Sequence, residues 1–106
     1  MVNVILAPLA KEDVESIFSY IDDFSRRASQ AFKNEVVAAA RRLRLMPEMG
    51  PREPLLEKYD RNYRYVIVQR RYKLIYLYEN QTCFILMVWD CRRNPKQLEG
   101  SARFEI

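Results

Sequence analysis

The stretch from Tyr59 to Glu79, YDRNYRYVIVQRRYKLIYLYE, sets arginines and a lysine among tyrosines. Its apolar runs, broken by a short polar turn, read as a β-hairpin. Fixed positive charge on such a hairpin offers hydrogen-bond donors to an anion, and a guanidinium presents a planar fork that matches phosphate or carboxylate oxygens. Arg61, Arg64 and Lys73 are the candidates within the hairpin. Arg92 and Arg93 join them from "DCRRNP", Asp90 to Pro95. These two follow an apolar strand and precede a proline, so the backbone there should be rigid, and the pair would make an anion clamp. The five cations are expected to meet on one concave patch at an end of the sheet. A solvated, charged sheet face is the plainer alternative, and Arg70 and Arg71 at the hairpin tip read that way. The tyrosines at 63, 65, 72, 76 and 78 are strand formers first; Tyr76 and Tyr78 share a face with Tyr72 and Leu74 and belong to the core.

Groups that move protons are scarce. The chain has no histidine. Tyr65 and Tyr72 titrate far above neutral unless perturbed. Glu57 is a possible base, and Lys73 is another if burial among cations lowers its pKa. Cys83 and Cys91 fall in one strand region, where eight residues span about 26 Å, too far for a disulfide. Both read as free thiols of a reducing compartment. No metal site and no cofactor are expected.

The elements that must position these residues follow from spacing. Val2 to Leu6 reads as a first strand, and Pro8 suits the first turn of a helix. Glu12, Asp13 and Glu15 lie early in that helix, at the end where its dipole favours acids. Val14, Ile17, Phe18 and Ile21 form its apolar stripe. Ser25 is the expected N-cap of a second helix. There Ala28, Phe32, Val36, Ala39, Leu43 and Met46 recur at helical spacing, with Arg26, Arg27, Lys33, Arg41, Arg42 and Arg44 on the other face. Pro47 ends it, and "PEMGPREP" reads as loop. Strands are expected over 63–68, 72–79 and 82–90, with turns at 69–71 and 80–81. The last of them, TCFILMVWD, is apolar on both faces and should lie inside the sheet, with Met87 and Trp89 in the core. The tail, 92–106, could dock through Phe104 and Ile106. The order predicts an α+β fold: an N-terminal strand, an antiparallel helical hairpin, and a three-stranded antiparallel meander in one twisted sheet.

The chain has 106 residues, enough for one domain, 1–106, and too few for a separate cofactor domain. With 49% hydrophobic and 30% charged residues it is globular in composition. A net charge of +4 favours anionic partners. No signal peptide and no membrane span are apparent, so a cytoplasmic location is expected.

Several motifs, taken in order, resemble a known group. Ala10, Asp13, Val14, Ile17, Tyr20 and Ile21 fit A-x-x-D-[VL]-x-x-I-x-x-Y-I. Ala31-Phe32, then RLMPEMG from Arg44 to Gly50, YKLIY from Tyr72 to Tyr76, and DCRRNP complete the set. Together they resemble the RelE/ParE superfamily of type II toxin–antitoxin toxins. The resemblance implies a toxin neutralised by a cognate antitoxin in a hetero-oligomer, with DNA gyrase or ribosome-bound mRNA as target. It also implies that Arg64, Lys73 and Arg92 stand at the basic catalytic positions of the RelE-like mRNA interferases, endoribonucleases that use a 2′-hydroxyl. A second lysine of that set falls on Val66, however, and neither Tyr nor His follows Asp90. The RRNP ending looks more like the ParE side, so gyrase inhibition by protein binding is the favoured expectation. The RelE-like interferase is the alternative, and an inactive nucleic-acid-binding module a second one.

Overall fold

A computed structural model describes residues 1–92 of the chain. It contains β1 (Asn3–Leu6), α1 (Pro8–Asp22), α2 (Arg26–Leu45), a 3-10 helix (Pro54–Tyr59), β2 (Tyr63–Val68), β3 (Tyr72–Glu79) and β4 (Thr82–Asp90). The expected α+β architecture is observed. The strands form one sheet in the order β1-β4-β3-β2. β1 runs parallel to β4, and the other pairs are antiparallel. β4 is interior, as its two apolar faces require. Arg93 and the expected docking of Phe104 and Ile106 lie outside the described residues.

Local chemistry accounts for the boundaries. Pro8 opens α1, and Ser25 caps α2 by accepting the Ala28 N–H at 3.1 Å. Asn80 and Gln81 both have positive φ, which closes the β3–β4 hairpin tightly and matches strand twist. In one respect α1 differs from expectation: its first turn holds no acid. Asp13 has another task. β1 pairs with β4 only over Thr82 to Ile85, so the far half of β4 has no β1 partner on its outer edge. The Asp13 carboxylate takes the Val88 N–H there at 3.0 Å and fastens α1 over the sheet.

The buried stripe of α2 is Ser29, Phe32, Val36, Ala39 and Leu43. Ala28 and Met46, expected in it, are exposed. Ser29 replaces Ala28 because its hydroxyl is satisfied, donating to Asp22 Oδ1 at 2.7 Å, with Arg26 O at 2.9 Å. This stripe and α1 cover one face of the sheet. Phe32 meets the Tyr72 ring edge-on at 5.2 Å, and Val66, Leu74, Tyr76, Cys83 and Ile85 complete that core.

The other face has its own apolar cluster: Leu56, Tyr63, Ile75, Leu77, Leu86, Met87 and Trp89. A bulge in β4 makes room for it. Ile75 faces Met87 while Tyr76 faces Ile85, so Leu86 is the extra residue; Leu86 and Met87 both join the second cluster. Leu56 reaches it from the 3-10 helix, a segment the sequence left without regular structure. Turn chemistry marked Pro47 to Pro54 as loop, but the single apolar turn that follows carries no helical period.

Candidate functional site

Of the five cations expected to converge, the four described ones do not share one patch, and each faces a carboxylate. Arg64 stands opposite Tyr76 on β2, which places it on the helix-covered face. It ties the loop after α2 to the sheet, donating to Gly50 O at 2.8 Å and Asn62 Oδ1 at 2.9 Å and pairing with Glu48 at 3.2 Å. The Tyr76 hydroxyl completes that seam: it donates to Pro47 O at 2.8 Å and accepts the Gly50 N–H at 3.2 Å. Burial pushes the Tyr76 phenol above its ordinary pKa.

Lys73 lies across the sheet from Arg64. Its register partners are Ile67 and Trp89, on the second face. The ammonium sits 2.8 Å from Glu53 Oε1 and 4.3 Å above the Tyr65 ring. The Glu53 side chain is 0% exposed and that of Lys73 21%. The expected company of other cations around Lys73 is replaced by a buried carboxylate, which also caps Leu55 N at 3.1 Å.

Arg61 grips Glu79 with both arms of its fork, at 3.0 and 2.6 Å. The bond lowers the Glu79 carboxyl pKa and raises that of Arg61. Arg92 pairs with Asp90 at 2.8 Å, and its own N–H bonds the same carboxylate at 2.9 Å. The Asp90 pKa is lowered chiefly by that side-chain bond. The shared concave patch therefore fails for a geometric reason: strand alternation sends Arg64 and Lys73 to opposite faces. Glu57, the other proton-transfer candidate, is exposed on the 3-10 helix. Tyr72 is buried against Phe32.

What the fold does build is a cleft of about 310 Å³ between α1 and the end of the sheet, lined by Asp13, Ser16, Ile17, Tyr20, Tyr72, Val88, Asp90 and Arg92. A second hollow of about 340 Å³ shares Tyr20 and Arg92 with it and adds Ile21, Phe24 and Arg71. Tyr20 is 57% and Phe24 76% exposed, and their rings meet edge-on at 5.3 Å. The charges balance: Asp13 and Asp90 against Arg71 and Arg92. An aromatic, charge-balanced cleft suits a protein segment better than a phosphate backbone. The sequence signal for it was present, since Tyr20 and Phe24 stand four apart, off the apolar stripe of α1. Among the described residues no cluster of His, Cys, Asp and Glu could hold a metal ion. Cys83 is buried and Cys91 exposed, and both are free thiols.

One strand, a helical hairpin and a three-stranded antiparallel meander are the element order of a RelE/ParE-like toxin. The comparison with protein families agrees: residues 4–95 match the ParE toxin of type II toxin-antitoxin system, parDE. The chain belongs to that family, and the family implies an antitoxin partner. A comparison with curated proteins finds no match.

Proposed function

We propose that this toxin arrests growth by binding DNA gyrase rather than by cutting RNA, and that it works in the cytoplasm as one half of a toxin–antitoxin hetero-oligomer. The observation that carries the reading is the pairing of Arg61, Arg64, Lys73 and Arg92 with Glu79, Glu48, Glu53 and Asp90. A ribonuclease centre needs cations free to hold a phosphorane and a proton donor and acceptor within about 3 Å of the reacting oxygens. Cations already held by carboxylates on two faces of a sheet serve neither need. Protein binding makes no such demand.

The aromatic cleft is the surface proposed for the antitoxin. Tyr20, Phe24 and Ile17 would take apolar side chains, while Arg71 at its mouth would meet a carboxylate. The test is expression from a tight promoter without antitoxin, with label uptake into DNA and into protein followed in parallel, and a supercoiling assay with purified gyrase. Gyrase inhibition with a DNA-damage response is the expected result. Early loss of protein synthesis with cleaved transcripts overturns the reading in favour of an interferase.

A further inference from the structure

One face of the molecule takes no part in that cleft. α2 carries Arg26, Arg27, Lys33, Arg41, Arg42 and Arg44 against Glu35 alone, a net +5 in a chain whose total is +4. The rest of the protein is thus net −1, and the whole positive excess sits on this helix. Arg26 pairs with Asp22 at 3.2 Å. The other five make no ion pair among the described residues, and all five are exposed. Helical spacing sets Arg27 and Arg41 opposite the buried stripe from Ser29 to Leu43, with Arg42 on one flank and Arg44 and Lys33 on the other. The Lys33 ammonium lies 5.6 Å from the centre of the Phe18 ring of α1, which leaves the four arginines for a partner.

Helix stability explains only part of this charge. Arg42 and Arg44 lie in the last turn, where the dipole favours cations. Arg26 and Arg27 open the helix, where the dipole opposes them and the first turn holds no acid. Lys33 and Arg41 lie in between, away from both ends.

We propose that the outward face of α2 docks on the phosphate backbone of double-stranded DNA. A helix of 20 residues runs about 30 Å, a distance over which one strand presents about nine phosphates. Four of the five unpaired cations are arginines, whose forks match phosphate oxygens. An acidic protein segment is the competing occupant. It needs apolar anchors at close helical spacing, and this arc offers Val37 and Leu45, two turns apart. Only the choice of DNA over RNA rests on the gyrase reading, since that target acts on DNA.

Anisotropy of a fluorescein-labelled 20-base-pair DNA duplex, titrated with the purified chain between 50 and 200 mM salt, tests the proposal. Four phosphate contacts, one per arginine, give a log–log salt slope of about −3.6, or about 150-fold weaker binding across that range. The triple variant R41A/R42A/R44A should flatten the slope to about −0.9 and weaken binding at 50 mM salt more than tenfold. The triple variant K11A/K58A/R70A removes the same charge elsewhere and should keep the original slope. Circular dichroism checks that both variants fold. No binding at 50 mM salt, equal losses in the two variants, or tighter binding to an RNA duplex of the same length overturns the proposal. DNA binding without gyrase inhibition supports it and ends the target reading instead.

Discussion

On the sheet, Arg61, Arg64, Lys73 and Arg92 each face a carboxylate; on α2, Arg27, Arg41, Arg42 and Arg44 are exposed with no ion pair among the described residues. Both groups look alike in the sequence, as cations interleaved with apolar residues. The difference lies in what the fold brings alongside. Glu53 and Glu48 arrive from the connection after α2, and Glu79 and Asp90 from strand ends, so the sheet cations become fasteners of loops and edges. α2 has solvent on its outer arc and a single acid in its own sequence. Cations that hold the fold together and cations left for a partner are thereby separated by face.

The severest test strikes the seam that Arg64 holds. A Cβ on Gly50 would lie 2.1 Å from Tyr65 O, so Gly50→Ala must push the loop off the sheet. We expect a loss of about 3 kcal/mol or more in urea unfolding. A wild-type midpoint in that variant would show that the seam carries little.

Lys73→Ala comes next. It leaves Glu53, whose side chain is wholly buried, without its cation, and should cost about 3 kcal/mol. The double variant K73M/E53L removes both charges and should return to within about 1 kcal/mol of wild type. If Lys73 is a fastener, toxicity in the growth assay follows stability and returns in the double variant. Toxicity lost in both would assign Lys73 a direct role and break the comparison.

Where α2 meets the sheet, Cys83 lies buried with Leu43 O at 4.0 Å from its Sγ. Burial pushes this thiol from its ordinary 9.0 up to about 11. A folded pKa above the unfolded one gives stability that is whole below pH 9 and drains away as pH climbs through 11. That loss amounts to roughly 2–3 kcal/mol over the window. Cys83→Ala should lack this alkaline limb when thermal midpoints are compared at pH 8 and pH 10.5. Equal slopes in the two proteins would place the sensitivity elsewhere.

The smallest effects are expected at the surface. Arg61→Ala breaks an exposed pair and should shift stability by less than about 1 kcal/mol. R41A/R42A/R44A breaks no pair and should leave the urea midpoint nearly unmoved. A large loss in that triple variant would make the α2 arginines structural and remove the contrast between the two groups.

Much of this was legible in the residues. Pro8, Ser25 and the Asn80-Gln81 turn set element boundaries through local chemistry, and the double apolar run of β4 placed it inside the sheet. The buried face of α2 was nearly right; Ser29 entered only because Asp22 lay within reach of its hydroxyl. Glu53 as the partner of Lys73 was not legible. The two are 20 positions apart, and neither carries a periodic signal. The cleft of Tyr20 and Phe24 was readable as exposed aromatics, but not as a cleft.

The sequence by itself determined the order of the α-helices and strands and most of their buried faces, because each depends on neighbours within a few residues, and its composition fixed the sign of the excess charge. The tertiary structure alone decided which cations are held and which are free. A charge is neutralised by whatever lies within about 4 Å in space, and side-chain alternation across a sheet sends adjacent cations to opposite faces before any partner is chosen.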